Sequence, residues 1–262
     1  MKFKQTDLRT TITELFVDLP TRPSTQLDDL DAPRALRPLR FRSRKWAIAT
    51  NVFVDAEDSV GAAQFFLNYA TVEESSRIVL EGAPGQGKST VTQYICQVLR
   101  AHLLNKQNVI ELLPKYCLHV KVRLPFRVDL RDLAKWISGI DPFQSKLSEL
   151  SDDEPRSLEA FLARQVRHVS GGHDFDVSDL TILARASHLM LILDGFDEVA
   201  DVELRSHLVI EITKGTSRLI NSGGLSLQTI VTSRPAAFAK SVMFPKDRWR
   251  YYESSFGEAT SR

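Results

Sequence analysis

The chain has 262 residues, 43% of them hydrophobic, enough for one large α/β domain or two small ones whose core needs no disulfide or metal staple. Its 34 basic and 33 acidic residues leave a net charge of +1, so no global field points to nucleic acid or to an anionic membrane. Two cysteines, Cys96 and Cys117, supply neither a disulfide framework nor metal-ligand spacing, residues 1–7 lack the apolar core of a secretion signal, and no apolar run approaches a membrane span. A soluble, cytoplasmic protein is the expectation.

In chain order, Leu8, Ile12, Leu15 and Phe16 form a short helical pattern that stops before Pro20. Residues 20–45 then shift to Pro, Asp and Arg and end in the basic cluster Arg40, Arg42, Arg44 and Lys45, which reads as a linker or extended arm with a solvated charge run. An amphipathic helix over 58–70 leads to the first core strand, Arg77–Glu81, and a glycine-rich turn hands this strand to a helix over 88–104. The β-branched alternation of residues 117–125 predicts a second strand, with His119, Lys121 and Arg123 on one face and no role for the histidine. Asp129 caps a helix over 129–138, and a polar surface insertion occupies 141–156. Helices over 157–169, closed by Gly171-Gly172, and 177–186 precede the third strand, Leu189–Leu193. A helix over 202–221 precedes the fourth strand, Thr229–Ser233, and residues 249–253 make the fifth. Strands separated by helices and reading as near-continuous apolar runs predict an α/β fold, a three-layer sandwich around a five-stranded, mainly parallel sheet, with its chemistry at the carboxyl ends of the strands.

Three motifs sit at those ends. Gly82-Ala83-Pro84-Gly85-Gln86-Gly87-Lys88-Ser89-Thr90 has the strand, loop and helix order of a phosphate-binding P-loop. Its glycines let backbone N–H groups converge on phosphate oxygens at the positive end of a helix, Lys88 supplies a point charge to the outer phosphates, and the Ser89 hydroxyl is a ligand for Mg²⁺. The third strand delivers Asp194 to where a metal on the β- and γ-phosphates belongs, and Asp197 and Glu198 follow it in position to polarise or orient a water. The fourth strand ends in Thr232-Ser233-Arg234-Pro235, so that the Arg234 guanidinium can sense a γ-phosphate.

These three motifs together resemble the NACHT group of STAND signalling NTPases, whose second motif likewise puts a small residue, here Gly195, directly after the metal-binding acid. The flanking segments Leu124–Arg131 and Phe244–Trp249 are similar to bacterial members, many of them linked to phage defence. The resemblance covers about residues 48–253 and implies an AAA+/STAND-like P-loop NTPase. It would be a switch that binds ATP or ADP with Mg²⁺, is closed with ADP, and self-associates with ATP in its full-length context, in response to a protein cue or toward an effector. Family members continue into helical and winged-helix subdomains. With residues 1–47 as an amino-terminal helix and arm and 254–262 as a tail, the chain is expected to be the nucleotide-binding core, slow or inactive in hydrolysis on its own. The alternative is a P-loop ATPase or kinase of another class. Asn221-Ser-Gly-Gly-Leu225 faintly matches a transporter signature, but it follows the Asp194 strand where that signature should precede it.

Overall fold

Side chains along a strand point alternately to the two faces of a sheet, and here that alternation divides the core in two. The computed structural model describes residues 18, 20–23, 60–68, 76–144, 148–238 and 243–254. Ile78 and Leu80 of strand β3 (Arg77–Glu81), Met190 and Ile192 of β7 (His188–Asp194) and Ile230 of β8 (Ser226–Ser233) pack against helices α1 (Ala62–Leu67) and α2 (Lys88–Leu103). Their neighbours Val79, Leu189, Leu191, Leu193 and Val231 face the opposite layer. That layer is built from α4 (Leu130–Ile137), α5 (Leu158–Val169), α6 (Val177–Ala186) and α7 (Val202–Asn221), while a short α3 (Gln107–Ile110) follows α2. Strands covered on both faces must be apolar on both, which is why β7 reads as an uninterrupted run.

Five parallel strands run in the order β9 (Arg250–Ser254), β3, β8, β7, β4 (Leu124–Asp129). Two short antiparallel strands, β1 (Pro20–Pro23) and β2 (Val60–Gly61), extend the sheet beyond β9. Pro20–Pro23, read from sequence as the start of a linker, is thus a strand near the sheet edge, where a missing N–H is tolerated. Asp18 accepts hydrogen bonds from Ala63 N (2.8 Å) and Gln64 N (3.0 Å) at the start of α1, which ties this amino-terminal segment to the sandwich. The helical pattern over residues 8–16, the basic cluster at 40–45 and the tail from 255 lie outside the described residues.

The second core strand departs from expectation. Residues 115–117 form a 3₁₀ turn and residues 120–123 join no ladder; the strand is Leu124–Asp129, with Asp129 opposite Asp194. The alternation over 117–123 is a local signal, whereas the ladder is set by pairing with β7, and β4 at the sheet edge accepts Pro125. Arg123, expected on a strand face, is instead fully buried and donates to Gln228 Oε1 and to the Phe66 and Leu67 carbonyls at the end of α1. Within residues 141–156, β5 (Ile140–Asp141) and β6 (Ser148–Glu149) form a small antiparallel ladder. The remaining helices begin at their caps. Ser157, Asp176 and Asp201 each accept from backbone N–H groups of the first turn, at about 1 kcal/mol per cap.

Candidate functional site

The glycine-rich segment connects the carboxyl end of β3 to the first residue of α2. Gly87 stands at the N-cap of α2 with φ +73°, a left-handed conformation that costs a side-chain-bearing residue strain. The turn is braced from within: Gln86 Oε1 accepts from Ala83 N at 2.6 Å, and Gly82 N donates to Ser233 O on β8 at 3.2 Å. A Cβ on Gly82 would come within 2.4 Å of Ser254 Oγ and 2.7 Å of Gln86 Oε1. Ala83, Pro84 and Gly85 form the exposed outer rim, and Thr90 is exposed in the first turn of α2. Lys88 Nζ donates to Gly82 O (2.6 Å) and Ala83 O (3.1 Å), so its ammonium lies across the loop mouth. Burial lowers its pKa below the ordinary lysine value; Asp197 and Asp194 pull it back up, and Arg234 adds to the lowering.

The parity of the strands brings the acid to this loop. Asp194 shares the face of Met190 and Ile192, which is the α2 face, and Ser89 Oγ donates to Asp194 Oδ1 at 3.1 Å. The same oxygen accepts from Thr232 Oγ1 at 2.6 Å, and Thr232 in turn accepts from Gly195 N at 2.9 Å. Oδ2 takes the Arg127 guanidinium at 2.5 Å. Arg127 lies on β4 two residues before Asp129, the register partner of Asp194, and therefore on a diagonal that a long side chain spans.

Gly195, at φ +82°, turns the chain into a 3₁₀ segment, Phe196–Glu198, that carries the next two carboxylates. Asp197 Oδ2 pairs with Arg234 Nε at 2.8 Å, and Asp197 raises the Lys88 pKa more than Asp194 does. Glu198 Oε2 meets Arg131 Nη1 at 3.1 Å. Arg131, in the first turn of α4, is itself held by Asp129 through Nε–Oδ1 (3.0 Å) and Nη2–Oδ2 (2.6 Å). Burial alone would raise the Asp129 carboxyl, but these bonds outweigh it and leave the pKa below the usual carboxylate range. Lys88, Ser89, Asp194, Asp197 and Arg234 thus converge at one sheet edge, and Glu198 stands at its exposed rim. Asn221–Leu225, by contrast, lies at the amino end of β8, away from the loop.

Arg127, Arg131 and Thr232 were not among the residues singled out from sequence. Thr232 stood in a recognised motif, which was the available signal; the register that sets Val231 beside Leu193, and so Thr232 near Asp194, is seen only in the structure. Arg127 was hidden by the misplaced second strand, since only the observed register puts it beside Asp194; Arg131 lies on a helix that the sequence places, but its partner Glu198 is distant in the chain.

The donor set can be tested for a cation. Two oxygens at adjacent corners of an octahedron with ligand distances of about 2.1 Å lie about 3.0 Å apart, and Ser89 Oγ and Asp194 Oδ1 are 3.1 Å apart. One hydroxyl and one carboxylate are hard oxygen donors of the kind that suits Mg²⁺ with phosphates and water completing its shell. Among the described residues no group of three or more His, Cys, Asp or Glu side chains is arranged to hold a metal, and no helix is long and apolar enough to cross a membrane. The sequence model of the family described as nephrocystin 3, N-terminal, matches residues 62–234, from the start of α1 to Arg234. No curated protein matches the chain.

Proposed function

The chain belongs to the nephrocystin 3, N-terminal, family, and from that membership and the loop geometry we propose that it is an ATP- and ADP-binding module of a NACHT-type signalling NTPase. The observation that carries this reading is the Ser89–Asp194 contact at 3.1 Å beneath a loop closed by Lys88. A hydroxyl at the start of a helix and a carboxylate at the end of a buried strand have no packing reason to meet there. As the two protein ligands of a Mg²⁺–nucleotide they have one. Backbone N–H groups of residues 85–89 would cradle the phosphates, and Lys88 would exchange the Gly82 and Ala83 carbonyls for phosphate oxygens. Mg²⁺, when bound, supplies neutralisation of the charge on the outer phosphates. Thr232 and Arg127 orient Asp194 for that contact. Arg234, held by Asp197 through Nε, reads the γ-phosphate with its remaining N–H groups, and Glu198 orients water from the rim.

Three arginine–carboxylate pairs at one edge support slow hydrolysis, because each candidate acid is already engaged. That suits a switch better than a turnover enzyme. The sequence likeness to bacterial proteins supports a place in antiphage defence, with self-association of the full-length form and a protein cue or effector as partners. Isothermal titration of the chain with ATP and ADP, with and without Mg²⁺, tests the reading. Lys88→Ala should lose about 1.5–3 kcal/mol of affinity, roughly ten- to a hundred-fold. Equal binding by the variant and the parent would refute the site.

A further inference from the structure

Arg205 lies in the first turns of α7, half-buried, and its guanidinium is spent on backbone carbonyls. Nε donates to Val199 O at 2.6 Å, Nη2 to Asp197 O at 3.1 Å and Nη1 to Ala237 O at 3.2 Å. The first two acceptors belong to the segment after β7 that carries Asp197 and Glu198. The third belongs to the 3₁₀ turn Pro235–Phe238, directly after Arg234. One planar fork therefore fastens together the two segments whose side chains form the Asp197–Arg234 pair at 2.8 Å. A cation near a helix N-terminus opposes the helix dipole, so the position is not one that helix stability alone would favour. Phe196 packing on Phe244 with ring centroids 5.7 Å apart joins the same loop to the strand-connecting segment by an apolar contact, but it fixes no carbonyl direction.

We propose that Arg205 is a positioning residue for nucleotide discrimination: it sets Asp197 and Arg234 as one unit at the loop mouth, so that the γ-phosphate is read by a guanidinium already held in place. The proposal rests on the nucleotide-site reading above. Arg205 touches neither nucleotide nor metal and acts through Arg234. Its removal changes how well a third phosphate is recognised, whereas binding of the first two, which depends on the loop and Lys88, is little affected.

The test measures thermal midpoints and dissociation constants for a non-hydrolysable ATP analogue and for ADP, both with Mg²⁺, on the 262-residue chain. Arg205→Met should weaken the ATP analogue about tenfold and ADP less than about twofold, the loss of one charge-assisted contact. Arg205→Lys, whose single ammonium cannot span three carbonyls, should not restore the parent value, and it provides the measurement if the methionine variant does not fold. Added to Arg234→Met, the Arg205 substitution should cost nothing further, because both act on the same contact. Arg218→Met, which cuts the tie of α7 to Glu159 away from the loop, controls for general loosening. Equal loss for the two nucleotides, a loss matched by Arg218→Met at the same drop in midpoint, or effects that multiply with Arg234→Met would each overturn the proposal. Lys88→Ala separates the premises: if it binds both nucleotides like the parent, the site reading fails and takes this proposal with it, whereas its loss of binding with no nucleotide split in Arg205→Met sinks the proposal alone.

Discussion

Arginine–carboxylate pairs occur in two regions of this molecule, and they are built differently. In the helical layer opposite α2, Asp141 is 1% exposed and holds Arg164 at 2.7 Å while also accepting from Phe143 N and Gln144. Arg218 similarly bridges Glu159 and Glu211, and Glu211 accepts from Leu158 N at the start of α5. Asp141 and Glu211 accept from a backbone N–H as well as from side chains, and these pairs tie one element to the next. At the loop edge the carboxylates sit on the ends and turns after β7, and their arginines come from three separate elements: Arg127 on β4, Arg131 on α4 and Arg234 after β8. The same chemistry serves as cement in one region and, under the proposed function, as contacts open to phosphate and metal in the other.

The comparison breaks first at Arg164. Arg164→Met should lower the unfolding free energy by about 3 kcal/mol, the lower end for opening a buried pair because Arg164 is partly exposed, and should leave nucleotide affinity unchanged. Chemical denaturation checks the first part and titration the second. The pH dependence sharpens it. Burial by itself would raise the Asp141 carboxyl, but the bonds from Phe143 N, Arg164 and Gln144 prevail and hold it below its ordinary value. A carboxyl depressed in the folded chain contributes stability that is complete above the unfolded value, about 3.9, and is lost as pH falls through the folded one. The gap between Arg164→Met and the parent should therefore narrow below about pH 4; a gap that widens in acid would mean that the pair is not the source of the loss.

At the exchangeable edge the order of effects reverses. Asp194→Asn should cost about 2 kcal/mol of Mg²⁺-dependent nucleotide affinity, seen as a loss of the difference between titrations with and without the metal, at a smaller cost in stability. An undiminished metal effect would move the cation elsewhere. The smallest change is expected at Glu198, which is 46% exposed and paired with a half-exposed arginine. Glu198→Gln should alter stability by less than about 1 kcal/mol, spare binding and slow whatever turnover the chain has; a binding loss with hydrolysis retained would reverse the roles given to Glu198 and Asp194.

How much of this was legible in the sequence follows from where each signal resides. The loop at 82–89 is a matter of glycine spacing within eight residues, and β7 of a buried apolar run, so both could be read locally. So could α5, α6 and α7, because Ser157, Asp176 and Asp201 are capping residues that act on their own first turns. The second core strand could not. Residues 117–123 have better strand composition than Leu124–Asp129, and only the partner β7 selects the latter. With that register went Arg127. β1 and β2 are four and two residues long and exist by pairing with β9 and each other, which no local pattern announces. Arg205 was invisible for another reason: its acceptors are carbonyls, which every residue carries.

The strand order also has a consequence for how the chain is made. β3, which leads into the glycine-rich loop, is flanked by β8 and β9, the last two strands of this sheet in chain order. While α2 through α7 emerge from the ribosome, β3 has no neighbour for its ladder, and loop closure over most of the domain must precede its pairing. The domain should consequently fold late and as a unit, with β3 held as an unpaired apolar strand in the nascent chain. Under the proposed function, nucleotide added during synthesis would have no formed loop to bind until β8 and β9 dock on β3, so binding competence would mark the completion of the sheet.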